Sequence, residues 1–231
     1  MDRVRITFEL HPAVNADHWF GLTDGRYDLV VEERSPFRIV DGYAGGIAYF
    51  VARLWEDLVE VAPAAFESIP DELAERLVAS ERWSDWVERA YELEGDADLV
   101  DTALSWWNDR QLYTGPLQDA PRLHLWRTGN ELSIRWRSHP DAPASRGDAV
   151  TTVDAFSDEL VGLDRALIAA MHRRIEDLSA RGFDTTDLRR DHEGRATLLV
   201  RTLLKHRPSS RWDAVLGAIS TLEARLGTVF G

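Results

Sequence analysis

The sequence predicts an α+β fold: an antiparallel sheet, made of an N-terminal meander and a central hairpin, packed with several helices and followed by a helical C-terminal third. Three observations carry this. Residues 3–10 alternate charged or polar with apolar side chains, as a half-buried strand does. Residues 122–138 hold two alternating runs joined at Gly129-Asn130, a pair suited to a two-residue turn. Beyond Asp154, apolar residues recur at intervals of three and four, the period of an amphipathic helix.

In chain order, Val4, Ile6, Phe8 and Leu10 share one side of the first strand, with Arg3, Arg5, Thr7 and Glu9 on the other. Asp24-Gly25 opens a second strand at Arg26–Val31, and Ser35-Pro36 precedes a third at Phe37–Val40. From Gly46 to Glu67 the period turns helical through Ile47, Phe50, Val51, Leu54, Trp55, Leu58 and Val61. Pro63 lacks an N–H and clashes one turn back, so a kink or an end is expected near Ala62. Pro70 is read as a first-turn proline for a helix through Val78; Glu81–Leu93 and Asp98–Leu112 make two more.

The hairpin register follows from its turn. Leu125 faces Ile134, Leu123 faces Trp136 and Arg127 faces Leu132, which keeps one face apolar. The opposite face pairs Trp126 with Ser133, His124 with Arg135 and Arg122 with Arg137. His139–Asp148 reads as a loop and Ala149–Val153 as a returning strand. Asp154 is expected to cap a long helix to about Ala180, with a seam of Phe156, Leu160, Leu163, Leu167, Met171, Ile175 and Leu178. Gly182 stops it. Helices at Asp187–His206 and Ser210–Leu226 complete the chain, the second opening with Ser210 and Asp213 at capping-box spacing. The expectation is one domain over 1–231, with a sub-boundary at the 139–148 loop and 149–231 mainly helical.

Composition bounds the function. The chain has 231 residues, 44% hydrophobic and 29% charged, as an ordinary globular protein has. It has no cysteine, which excludes disulfides and thiolate chemistry. Met1–Leu10 lacks the apolar run of a secretory signal, and no window nears about 18 uninterrupted apolar residues, so a cytoplasmic, non-membrane protein is expected. The net charge of −13 disfavours nucleic acid and anionic membranes, and permits a cationic protein partner. From Asp71 to Asp101 eleven acids meet three arginines, giving −8; from Arg165 to Arg211 eleven bases meet six acids, giving +5. Either the two regions carry solvated or mutually packed faces, or the first offers an acidic docking surface. Of 27 cationic residues only Lys205 is lysine.

No motif points to a cofactor or a metal. Gly42, Gly45 and Gly46 precede a helix at spacings that fit neither a phosphate loop nor a dinucleotide fingerprint, and serine-nucleophile signatures are absent. The seven histidines are scattered, and the adjacent His192 and Glu193 point to different helix faces. Glu56 and Glu60 share a face, as a solvated pair or a dyad. The run Glu92, Glu94, Asp96, Asp98, Asp101 lacks the glycine and closing glutamate of a calcium loop, and reads as acids at a helix start. Nine tryptophans are many for this length. Trp106 and Trp107 cannot face the same way on a helix, so one looks to solvent, another element or a ligand.

The polar hairpin face is the candidate site: Arg122, His124, Trp126, Arg135 and Arg137. Like charges directly opposite on a sheet repel, so Arg122 against Arg137 calls for an offset from an internal acid, a solvent-facing geometry or an external anion. The segments WFGLTDGRYDL (19–29), FVARLWEDL (50–58), LHLWRTGNELSIRW (123–136) and RWDAV (211–215) together resemble an uncharacterised bacterial family of unknown function. That resemblance transfers no active site. The acidic α+β layout is also similar to that of small bacterial immunity proteins, which neutralise toxins. The expected function is non-catalytic binding of another protein, possible immunity included. The alternative is an enzyme or small-ligand protein with a pocket of scattered residues.

Overall fold

The computed structural model describes residues 4–12, 18–37, 47–78, 80–93, 96–112, 121–137, 146–205 and 211–227. Strand β1 (Val4–Leu10) pairs antiparallel with β2 (Asp24–Val31) from Val4 opposite Val31 to Leu10 opposite Gly25. The alternation read in β1 puts Val4 and Ile6 in the core. After β2 the chain reverses through Glu32 and Glu33, both left-handed with φ of 49° and 66°, closed by hydrogen bonds between Val31 and Arg34.

Of the strand expected at Phe37–Val40 only the first residue is described. Phe37 lies in a turn, buried edge-on against Tyr27 at 5.4 Å, and 38–40 lie outside the described residues. Among the described residues the next strand is β3 (Ile47–Phe50), paired with β2 from Tyr27 to Asp24. Helix α1 therefore runs Val51–Phe66, later than the spacing implied, because pairing with β2 captures four residues whose apolar pattern suits either state. It also passes Ala62. Pro63 lies in the last turn of α1, where it forfeits one hydrogen bond without ending the helix.

Helix α2 (Asp71–Val78) starts after Pro70, whose carbonyl accepts from Leu73 and Ala74 N–H at 3.1 Å each, so the proline precedes the helix rather than lying in its first turn. Helices α3 (Ser80–Tyr91) and α4 (Ala97–Asn108) follow. The expected run to Leu112 is cut short, since Gln111–Leu112 forms β4 against β5 (Arg122–Thr128). Strand β6 (Glu131–Arg137) pairs with β5 in the expected register at every rung, and the turn opens on Gly129 at φ 58°.

Strand β7 (Arg146–Thr152) begins three residues before the expected Ala149 and ends one before Val153, giving sheet orders β1-β2-β3 and β4-β5-β6-β7. Gly147 lies opposite Trp136, and a Cβ there would stand 2.2 Å from Trp136 Cζ2; the indole occupies the place a side chain would need. Helix α5 (Val153–Ala180) is capped by Thr152, whose Oγ1 accepts from Ala155 N–H at 3.2 Å, while the expected cap, Asp154, sits in the first turn. All seven seam residues of α5 are buried, and Gly182 follows at φ 87°. The helix expected over Asp187–His206 is two, α6 (Thr186–Arg195) and α7 (Leu198–Lys205), broken at Ala196–Thr197 just after Gly194, the poorest helix former in the run; His206 lies outside the described residues. Helix α8 (Trp212–Leu226) has Arg211 at its N-cap with no side-chain cap bond, and Ser210 lies outside the described residues.

Two apolar clusters result. The first joins both sheets to α1 and α5 and takes in the apolar hairpin face, Leu123, Leu125, Leu132, Ile134 and Trp136. The second lies across the four-stranded sheet and joins α2, α3, α4 and α8 to Trp126. Helices therefore pack on both sides of β5. Trp55 Nε1 donates to Asp164 at 3.0 Å, tying α1 to α5, and Glu159 of α5 accepts from the Ile6 N–H on the outer strand β1.

Candidate functional site

Alternation along β5, β6 and β7 sets the polar face in rungs. Arg122, Arg137 and Arg146 are directly opposite one another on three adjacent strands. On the next rung of that face stand Gln111, His124, Arg135 and Asp148, and beyond them Trp126, Ser133 and Val150. Arg122 and Arg146 are exposed and Arg137 is half-buried. Cross-strand neighbours in register have Cβ atoms about 5 Å apart, so the arginine row concentrates positive charge at one end of the sheet.

The five sequence-derived residues divide into two groups. Trp126 is only 4% exposed and packs in the second cluster, so it does not offer an open aromatic surface for binding. Alternation showed that it faced away from Leu125 but not that α2–α4 and α8 would cover that side. Arg135 is also engaged inside the fold. Its Nη1 donates to the Leu77 carbonyl at 3.0 Å and to that of Val78, the last residues of α2, where helix carbonyls lack partners and the dipole is negative. The same guanidinium lies 6.0 Å from the Trp126 ring.

His124 stacks on Trp107 with centroids 4.7 Å apart and planes at 30°. Burial, and then the charges of Arg122, Arg137 and Arg135, push its pKa down to about 3, so the imidazole is neutral at physiological pH. Its Nε2 is buried and has no hydrogen-bond partner among the described residues. The Trp106-Trp107 question resolves toward the protein: both are buried, and Trp107 meets the hairpin through His124.

An open cleft of about 430 Å³ adjoins the row. Val87, Tyr91 and Trp107 give it apolar walls, and Asn108, Gln111 and Arg122 its polar ones. Tyr91 is 51% exposed, and its hydroxyl accepts from Asn108 Nδ2 at 2.6 Å. Glu88 shares the cleft with Arg122 and supplies a nearby internal acid. The sequence reading missed Arg146, Tyr91 and Asn108. Extending β7 back to Arg146 by alternation would have placed that arginine opposite Arg137; nothing local marks the other two, which α3 and α4 bring to the hairpin.

The remaining candidates do not assemble. Glu56 pairs with Arg195 and, at 3.7 Å, with Arg53, while Glu60 is exposed, so the two form no dyad. Asp96 pairs with Arg225, and Glu94 lies outside the described residues, as do Gly42, Gly45 and Gly46. His192 lies beside His172, with ring centroids 5.8 Å apart. Among the described residues, no group of three or more potential metal ligands occurs and no helix is long and apolar enough to cross a membrane.

A family model described as "Family of unknown function (DUF5984)" matches residues 6–218, which includes both sheets apart from the first two residues of β1, and every residue of the arginine row and the cleft. No curated protein and no solved structure matches the chain.

Proposed function

This chain belongs to the DUF5984 family of unknown function, and from that premise we propose that it is a non-catalytic binding protein that docks an anionic segment of a partner protein on Arg122, Arg137 and Arg146. The in-register row of three arginines carries this reading. Neighbouring rung positions let one extended anionic segment meet more than one of these guanidinium groups. Guanidinium groups also take carboxylates through paired hydrogen bonds, with more geometric selectivity than an ammonium has.

The net charge of −13 does not oppose such a contact at close range. At physiological ionic strength charges are screened over about 8 Å, so a docked carboxylate feels the neighbouring side chains, the arginines together with Asp148 and Glu88, rather than the net charge. An immunity-like role, in which the bound macromolecule is a toxin, belongs to this proposal, as does residence in a bacterial cytoplasm, which the cysteine-free sequence suits.

The test uses fluorescein-labelled peptides and anisotropy at two salt concentrations. A glutamate-rich peptide should bind the wild type, its glutamine counterpart at least tenfold more weakly, and the Arg122→Gln/Arg146→Gln double variant should lose most of the difference. Charge-assisted hydrogen bonds of about 1.5–3 kcal/mol set that scale. Equal binding of the two peptides, or an undiminished preference in the double variant, overturns the proposal.

A further inference from the structure

We infer that the outer edge of β4 receives an extended segment of a partner protein, which adds to the four-stranded sheet as a further strand beside Gln111. β4 is an edge strand of that sheet, and its two residues stand opposite His124 and Leu123 of β5. The ladder fixes which way each of them points. In an antiparallel pair, opposed residues that exchange both hydrogen bonds alternate with opposed residues that exchange none. Leu125 N–H donates to the Arg110 carbonyl at 2.9 Å, one residue beyond the Gln111–His124 pair on either strand, so that pair exchanges none. The N–H and C=O of Gln111 therefore point away from β5, off the edge of the sheet. A donor and an acceptor side by side on a strand edge match the main chain of another extended segment.

Two clefts meet at this residue, and Gln111 and Asn108 line both. The cleft of about 430 Å³ lies on the polar face, where Val87, Tyr91 and Trp107 supply its apolar walls. The other, of about 520 Å³, is walled by Val61, Pro63 and Ala64 of α1 and by Thr202 of α7. Because α1 packs with Leu112 and Leu123 in the first cluster, this second cleft lies on the opposite face. Side chains of an added strand alternate between the faces in the same way. The residue paired with Gln111 sends its side chain toward the first cleft, and the residues before and after it send theirs toward the second. Both clefts hold acids and bases, Glu88 with Arg122 in one, Glu60 and Asp109 with Lys205 in the other, so neither calls for an ion of one sign. The apolar walls instead suit an uncharged segment with apolar side chains at three successive positions. Pairing of β4 with β4 of a second copy is too short to serve, since each has two residues and is set between the same clefts.

The probe is a short fluorescein-labelled peptide with a valine-leucine-valine centre between serines, read by anisotropy beside the same peptide N-methylated at the central leucine, which lacks one main-chain N–H. The wild type should bind the first about tenfold tighter than the second. Gln111→Ala keeps the main chain and should bind within about threefold of the wild type. Gln111→Pro, whose missing N–H points off the edge and leaves the ladder intact, should lose about tenfold, with circular dichroism checking its fold. Should the proline unfold the protein, deuterium exchange at the Gln111 amide of the wild type decides: fast in the free protein, and slowed at least about tenfold by saturating peptide. Absence of binding, equal binding of the methylated peptide, undiminished binding by a folded Gln111→Pro, or a Gln111 amide already protected in the free protein overturns the inference. The side chains of the probe carry no charge, so failure here leaves the arginine row standing.

Discussion

Replacing Asp57 by asparagine should stabilise the protein at alkaline pH and leave it unchanged in acid. Asp57 lies half-buried on α1, its Oδ2 is buried, and that atom has no hydrogen-bond partner among the described residues. Burial above all, then the negative charge of Glu60, raises its pKa from 3.8 to about 7; Arg53 opposes the rise and Glu56 adds to it. A carboxyl with a raised folded pKa contributes stability that is complete below its unfolded value near 4 and is lost as pH climbs through 7. Three units at about 1.36 kcal/mol each set a ceiling of about 4 kcal/mol. Because the group is only half-buried, screening reduces this to about 1–2 kcal/mol. Asparagine carries no charge to desolvate, so the variant should exceed the wild type by that amount at pH 8 and match it near pH 4. Urea unfolding of both proteins at the two pH values measures the difference, in which titrations common to both cancel. A gain of equal size at both pH values, or none at pH 8, would refute the reasoning.

His124 should act in the opposite sense: its folded pKa is lowered, so its contribution is complete above about 6.5 and is lost as pH falls toward 3. Its imidazole NMR signals should stay fixed from pH 8 to pH 5, and a midpoint above 5 would count against the burial described. Arg110, 2% exposed, donates to the Trp106 carbonyl at 2.8 Å, lies 3.6 Å from Glu67 and stands over Trp212 at 5.4 Å. Arg110→Met should cost about 3 kcal/mol in urea unfolding, and a loss below about 1 would show that these contacts contribute little. Glu32→Asn with Glu33→Gly should raise the thermal midpoint, with a gain of about 1–2 kcal/mol, because both glutamates adopt left-handed backbone that asparagine and glycine accept more readily; a lower midpoint contradicts that account.

The parts of the fold legible in the sequence are those set by local period. The β5–β6 register followed from one turn and one alternation, and the α5 seam from spacing alone. Where two states shared a pattern, tertiary pairing decided: Ile47–Phe50 suited a helix until β2 offered hydrogen bonds, and Gln111–Leu112 left α4 to pair with β5. At the site, alternation identified the face carrying Arg122, His124, Trp126, Arg135 and Arg137 but not its surroundings. A period of two separates the sides of a strand without saying what lies against either, and so the burial of Trp126 and the capping of α2 by Arg135 were not legible.

Strand β5 is held from both sides, with Leu123 and Leu125 in one cluster and Trp126 in the other. A surface helix can drift in sequence by adjusting to a single set of neighbours. Consecutive residues of β5 answer to two sets at once, and an exchange that suits one side leaves the other unrelieved. Substitutions in the middle of β5 therefore disturb a cluster on one side or the other, whereas at its start Arg122 meets solvent and can change without disturbing either.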